Sequence, residues 1–363
     1  MHDILLYALP VFGLLMLAEW AWSRRQGRES YGLADTLSSL SQGLLSQAVA
    51  IITPLFQTGL YAGVHSRFAL LPATLWHGAF SWVLAVVMYD FCDYWLHRTS
   101  HESALFWAAH AVHHQSEHFN LSTALRQESL YPIMGAPFFL PMAMLGVPTA
   151  HYALAGMVVL LYQFWIHTEH IGRLGWLDGV FSTPSNHRVH HAVNAPYLDR
   201  NYGAILVLWD RLFGSFAPER EPCVYGTVKP LASWRPLWAV GQFYAEMERR
   251  MRATPRWADK LRVIYKSPGW MPPGAALPQV DAEARLALPR FAPAIARWAQ
   301  VAASGLFVAL TAGTGVWLWF ADDVSSGANL GAAAALTAGL WGVGALLSTT
   351  TPQRVSPQDT TSR

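Results

Sequence analysis

Apolar runs long enough to cross a bilayer recur along this chain, separated by short polar breaks. A spanning helix needs about 20 apolar residues for a hydrocarbon core of about 30 Å. Ile4–Ala18 is apolar and closes on Glu19–Trp22, with Arg24, Arg25 and Arg28 behind it. A cleavable signal carries its positive charge ahead of the apolar core, so this run predicts a retained first span. Thr36–Val64 is charge-free but partly polar and predicts a second. Phe68–Tyr89 predicts a third, ending at Asp90 and Asp93. Ser129–Ile166 holds no charge over 38 residues and has Gly146-Val147-Pro148 at its middle. Gly with Pro marks a turn, so this stretch predicts a hairpin of two short helices. Trp298–Ala321 and Val324–Gln353 form a last pair, parted by Asp322 and Asp323. The predicted class is all-α, a multi-pass helical membrane protein of about seven spans.

Lys and Arg concentrate in cytoplasmic loops of membrane proteins. With Arg24, Arg25 and Arg28 placed in the cytosol and the spans traced alternately, only Arg67 of the 25 Lys and Arg residues falls outside. The same trace puts His97, His170, the long segment 167–297 and the C-terminus on the cytosolic side. The protein is then a multi-pass component of a bacterial inner membrane or endoplasmic reticulum. Residues 171–295 form the one long polar stretch and predict a helical cap. Within it, Glu246–Arg262 reads either as a helix lying on the membrane face or as a solvated surface helix. Gly269–Pro289 is rich in Pro and Ala and predicts a linker. Three regions result: N-terminal spans over 1–96, a histidine-rich region with hairpin and cap over 97–295, and a C-terminal pair with its tail over 296–363.

Composition agrees. The 363 residues are 53% hydrophobic and 13% charged, with mean hydropathy +0.22, against roughly 25% charged in a soluble domain. A net charge of +2 without a basic run speaks against nucleic acid as a partner. Cys92 and Cys223, the two cysteines, exclude a disulfide framework.

Histidine changes the picture. Twelve of the fifteen histidines lie between His97 and His191, where an even scatter would put about four. Most fall in four motifs: H-R-T-S-H (His97, His101), H-A-V-H-H (His110, His113, His114), H-T-E-H (His167, His170) and H-R-V-H-H (His187, His190, His191). Residues at i, i+3 and i+4 share a helix face, so each motif offers converging imidazoles. Ten exceed the three or four protein ligands of one zinc site and suit two metal ions. Neutral imidazole favours Fe, Zn, Cu or Ni over Mg or Ca. Beside an acyl region, such a site suggests non-haem iron activating O2 against a lipid C–H bond. Asp90 and Asp93 read as interfacial carboxylates or as acceptors from the far nitrogen of a ligand histidine.

Longer strings carry a resemblance. Asp90-Phe91-Cys92-Asp93-Tyr94-Trp95-Leu96-His97-Arg98 resembles the entry into the first histidine motif of the fatty acid hydroxylase superfamily, which includes sterol desaturases and carotenoid hydroxylases. Asn120–Gln127, Leu161–Glu169 and Thr183–Ser185 are similar to stretches of its alkylglycerol monooxygenase branch. So are Asn201–Gly203, Trp209–Phe216, Val224–Gly226 and Lys266–Trp270. The resemblance covers roughly residues 80–275. It implies an integral-membrane di-iron monooxygenase that uses tetrahydrobiopterin and O2 to hydroxylate the ether-linked carbon of an amphiphilic alkylglycerol, releasing a fatty aldehyde. It also implies two Fe ions held by the ten motif histidines, with zinc able to replace iron in purified protein.

Some positions depart from the pattern. His170 stands where the branch can carry an apolar residue. Glu128 occupies the place of a further histidine in sterol-modifying relatives, and reads as a carboxylate ligand, as a polar cap on the next span or, with Asp90 and Asp93, as an outer partner of the ligand histidines. His118 reads as an outer neighbour, and Asp199 and Asp210 as structural, paired with Arg200 or Arg211. Two alternatives stand beside the leading one. One is a sterol, hopanoid, acyl-chain or carotenoid hydroxylase or desaturase fed by a redox-protein partner. The other, from a different class, is a membrane metal transporter or sensor.

Overall fold

The computed structural model describes residues 2–275 and 281–350, with side chains from residue 8 onward. Its helices are α1 (His2–Arg25), α2 (Leu33–Ile52), α3 (Leu60–Phe68), α4 (Ala79–Glu102), α5 (Ala104–His114), α6 (Leu121–Ala124), α7 (Tyr131–Met144) and α8 (Thr149–Trp165). They continue with α9 (Pro184–His191), α10 (Leu208–Phe213), α11 (Pro236–Ala253), α12 (Trp257–Tyr265), α13 (Ala282–Leu286), α14 (Arg297–Phe320) and α15 (Ser326–Leu347). Among the described residues the only β-pairing is isolated bridges, so the all-α expectation holds.

Three described helices are long and apolar enough to cross a membrane: α4, α14 and α15. A fourth crossing would be the run Leu33–Ile52 plus Leu55–Phe68, which is bent by 76°. That supports three or four spans by length and composition, fewer than the seven expected. The sequence run Thr36–Val64 is not straight because Pro54 sits at the break, where it can neither donate to the helix ladder nor avoid the carbonyl one turn back. The apolar run of the first span falls on α1, whose first side chains lie outside the described residues. The expected end of the last span at Gln353 lies outside them too, as do residues 276–280 of the linker.

The third span is shifted. Helix α4 starts at Ala79, after Gly78 at φ 80°, and continues through Asp90, Asp93 and His97 to Glu102. Asp90 and Asp93 therefore lie inside a helix rather than at its end. Residues 69–78 are mostly irregular because Pro72 and Gly78 punctuate them.

The predicted hairpin is present as α7 and α8, joined at Gly146. With 14 and 17 residues they reach only about 21 and 26 Å at 1.5 Å per residue. They pack against α3 and α4 around Tyr61, Leu96, Phe139, Met142 and Tyr152. The Tyr61 hydroxyl donates to Val147 O at 2.8 Å and its ring stacks on Tyr152 at 4.0 Å. A second apolar cluster joins α2, α14 and α15 around Leu45, Phe307, Leu340 and Val343. Large apolar side chains on the outer surface of α14, among them Val301, Val308 and Val316, are more than half exposed, as expected of a helix in lipid.

Gly146 sits at φ +85°, and a Cβ there would stand 2.5 Å from Leu71 O. Gly146→Ala should cost about 1–3 kcal/mol, read as a lower unfolding temperature of the detergent-solubilised protein.

Candidate metal centre

The two H-x-x-H-H motifs lie on α5 and α9, and H-x-x-x-H on the last turns of α4. Pro184 opens α9 at a position where its missing N–H costs nothing. Steps of three and four residues turn a helix by about −60° and +40°, so the first and last histidines of H-x-x-H-H stack while the middle one swings aside. The structure uses this split. His97, His101, His110, His114 and His190 form one group, and His113, His167, His187 and His191 a second. Each motif thus sends its i, i+4 pair to one group and its middle histidine to the other. Within each group one ligand atom per residue lies within 4.8 Å of all the others. The groups share a wall, where the His114 and His191 rings stack at 4.3 Å.

The tautomers show what these rings are prepared to hold. His113 Nδ1 donates to Arg126 O at 3.0 Å, and His167 Nδ1 to Gln163 O at 2.7 Å. A carbonyl has no proton to give, so in each neutral ring Nε2 is left with a bare lone pair. Those two Nε2 atoms face one another at 3.2 Å. Across the other group His97 and His110 place Nε2 atoms 3.1 Å apart, with His97 Nδ1 donating to Tyr202 O at 2.8 Å. Facing lone pairs repel unless a cation lies between them. Nitrogens ~2.1 Å from an ion and at right angles about it stand ~3.0 Å apart, so these separations match edges of a coordination shell. The Nε2 atoms of His101 and His190 are buried without a hydrogen-bond partner, as ligand atoms awaiting an ion would be. The residues fit a pair of metal ions.

Burial favours the neutral, ligand-competent form. Desolvation holds His110, His114, His167, His187, His190 and His191 well below the usual imidazole range and His113 at about 4.

A loop braces the rings from outside. His190 Nδ1 donates to Arg200 O at 3.0 Å, so Arg200 and Tyr202 orient one ring each through their carbonyls. The intervening Asn201 has φ 55°, and its side chain bonds Asn186 O, Ala217 O and Ala217 N. The Asp210 carboxylate accepts from Tyr202 N at 2.7 Å and Gly203 N at 2.8 Å. A Cβ at Gly203 would come within 2.4 Å of Leu206 O. Asp90 accepts from Ile205 N, Leu206 N and Trp209 Nε1. Asp90 touches no histidine, and ties α4 to the ring-orienting loop. Asp210 pairs with backbone amides rather than with arginine, and Asp199 Oδ1 lies 3.5 Å from His101 Nδ1. On the far side Arg126 is wholly buried and bonds Val112 O, Ser38 and Gln115, which holds the carbonyl that His113 uses.

Other expected residues are placed differently. His170 joins neither group; its Nε2 lies 3.2 Å from Ser30 Oγ. Glu128 is in neither group and caps no helix; its Oε1 is 2.7 Å from His110 Nδ1, a carboxylate–histidine pair that steadies a ligand ring. Burial raises its carboxyl to about 8. Asp93 is buried in α4 among Tyr89, Cys92 and Tyr131 and bonds no ligand ring. His118 lies outside both groups, against Gly32. Residue spacing alone did not reveal Arg126, Asn201 or the Arg200 and Tyr202 carbonyls, though the Asn120–Gln127, Asn201–Gly203 and Trp209–Phe216 strings contain or adjoin them.

Residues 82–215 match the family model described as fatty acid hydroxylase. This chain carries a fatty acid hydroxylase domain. All nine clustered histidines lie within that domain, as do Asp90, Arg126 and Asp210. The chain is 38% identical over 268 residues to a protein named alkylglycerol monooxygenase from Xenopus tropicalis, covering 73% of this chain and 59% of that one. Similar matches reach proteins of the same name from Danio rerio, 37% identical over 79% of this chain and 65% of that one, and from Homo sapiens, 38% identical over 74% and 60%. The aligned part is thus under two thirds of those relatives' own length. No solved structure matches the chain.

Two outcomes follow for the fatty acid hydroxylase domain. His113→Ala and His190→Ala should each lower bound metal by about one ion per chain, measured by elemental analysis, whereas His118→Ala and His170→Ala should leave it unchanged. In metal-free protein the unfolded chain takes up protons on histidine below about 6.5, and the buried rings refuse them. Stability should therefore fall as pH drops through about 6.5, and the contribution of His113 should be exhausted only below its folded value of about 4. Unfolding temperature of chelated protein at pH 5 and pH 7.5 tests the sign.

Proposed function

We propose that this chain is an integral-membrane di-iron lipid monooxygenase that cleaves the ether bond of 1-O-alkylglycerols, with tetrahydrobiopterin as an external reductant. One observation carries the reading: five and four buried imidazoles, in adjacent groups, each bring one ring nitrogen within 4.8 Å of the others in their group. The similarity to proteins named alkylglycerol monooxygenase supports the choice of ether lipid and pterin.

His97, His101, His110, His114 and His190 would hold one ion and His113, His167, His187 and His191 the other. Iron at these positions supplies the activation of O2 for insertion into a C–H bond; zinc competes for the same nitrogen-rich donors. The protein keeps the Nε2 lone pairs free by occupying Nδ1 with Tyr202 O, Arg126 O, Gln163 O and Arg200 O. In the overall reaction one oxygen atom enters the C–H bond beside the ether oxygen. The other leaves as water, with two electrons and two protons from the reductant. The hemiacetal so formed breaks its C–O bond, giving an aldehyde and a free glycerol hydroxyl. The cap region carries much of the chain's Lys and Arg, and this reading places it in the cytosol.

Iron-loaded membranes supplied with tetrahydrobiopterin, an alkylglycerol and O2 should release fatty aldehyde, measured by mass spectrometry. His190→Ala should reduce that rate by more than the roughly 10–100-fold typical of losing an outer partner. Activity restored only by a ferredoxin or cytochrome would move the protein to the redox-partner branch. Metal loading without O2 consumption would favour a transporter or sensor.

A further inference from the structure

Helix α12 turns Asp259 and Val263 inward and leaves Trp257, Leu261 and Tyr265 outside. Those three are spaced by four residues and so form one stripe, with exposures of 76%, 58% and 57%. Such a stripe facing water is unfavourable, and the described structure packs nothing over it. Arg256, Lys260, Arg262 and Lys266 flank it, and the one acidic side chain of the helix, Asp259, is buried and paired with Arg262 at 2.8 Å. Aromatic rings beside cations match the interface of an anionic bilayer.

The level of α12 supports the same occupant. Ala104 N donates to Lys266 O at 2.8 Å, and Ser103 Oγ to Ile264 O at 3.4 Å. Both bonds tie the end of α12 to the residues that directly follow span α4, the depth at which a spanning helix leaves the hydrocarbon. The chain beyond α12 has a second role. Ser267, Pro268, Gly269 and Met271 line a cavity of about 880 Å³ that His101, His114, His190 and His191 also line. Arg250 holds this segment by donating to Pro268 O.

We infer that α12 lies on the anionic lipid surface and holds the mouth of this cavity against the headgroups, so that an amphiphile passes from the bilayer to the histidine groups beside α12. The helix dips its Trp257–Leu261–Tyr265 stripe among the acyl-chain ends while its cations meet lipid phosphates. The segment that follows forms the doorway. This rests on the reading of the protein as a membrane-embedded lipid enzyme and adds where its substrate enters.

The test needs no turnover. Full-length protein carrying Cys92→Ala and Cys223→Ala is labelled with a fluorophore at Leu261→Cys, or at Glu248→Cys on the exposed face of α11, and placed in nanodiscs. Lipid bearing a nitroxide near its headgroup should quench the Leu261→Cys probe roughly twofold or more and leave the Glu248→Cys probe unchanged. Quenching should be stronger in phosphatidylglycerol than in phosphatidylcholine, and Arg256→Glu with Lys260→Glu and Lys266→Glu should remove that difference. A phospholipid with a photoactivatable acyl chain should label Ser267–Met271. Equal quenching at both positions, or none, overturns the docking; labelling confined to the spans overturns the doorway. Absence of ether cleavage with quenching intact would instead defeat the proposed substrate.

Discussion

Nine imidazoles are buried with ring nitrogens turned toward one another, and the rest of the structure accommodates that constraint. Without a cation the arrangement is repulsive, because Nε2 atoms held 3.0–3.2 Å apart share few protons. It persists because five of the rings are gripped from behind. Carbonyls of Tyr202, Arg200, Arg126 and Gln163 accept from the Nδ1 atoms, and Glu128 faces that of His110. The fold therefore stores a metal-shaped preference in its outer hydrogen bonds rather than in the histidines alone.

Those outer bonds reach far along the chain. Asp90, inside a span, reaches residues 205–209, and Asp210 reaches 202 and 203, so the loop that aims His97 and His190 is clamped from the membrane helix and from α10. Arg188 forms a two-point pair with Glu219 at 2.8 and 2.7 Å and also bonds Thr168 O and Ile171 O. That joins α9 to the segment after α8 and so brings His167 to His187. Buried charges are costly unless fully bonded. Asp90, Asp210 and Arg188 each meet several partners, which makes them a register for the rings around them.

The hairpin helices α7 and α8 reach only about 21 and 26 Å, short of a hydrocarbon core of about 30 Å, and the α2–α3 run is bent by 76°. Hydrophobic stretches shorter than the bilayer are accommodated by local thinning or by flanking residues that reach the interface. With His97 and His101 on the last turns of α4 and His167 two residues past α8, the proposed lipid-enzyme reading puts the histidine groups close to the acyl chains, where an amphiphile is already concentrated, since each buried CH2 is worth ~0.8 kcal/mol.

Local information was legible from residues alone. Apolar run length predicted α14, α15 and the α7–α8 hairpin, because desolvation of a long apolar helix depends little on its neighbours. Histidine spacing singled out ten residues, nine of which the structure gathers into two groups, because i, i+3 and i+4 convergence is built into the helix. What depends on chain segments meeting across space was decided only by the tertiary structure. It separated His170, which faces Ser30, from His167 three residues earlier, because the chain has already left α8 at Trp165 and no helix holds the two on one face. It turned Glu128 toward His110, aimed Asp90 at a loop 115 residues away, and broke the second apolar run at Pro54. It also assigned each histidine to one group or the other: helical geometry separates the middle residue of H-x-x-H-H from its neighbours, but the packing of α4, α5 and α9 decides which centre that residue serves.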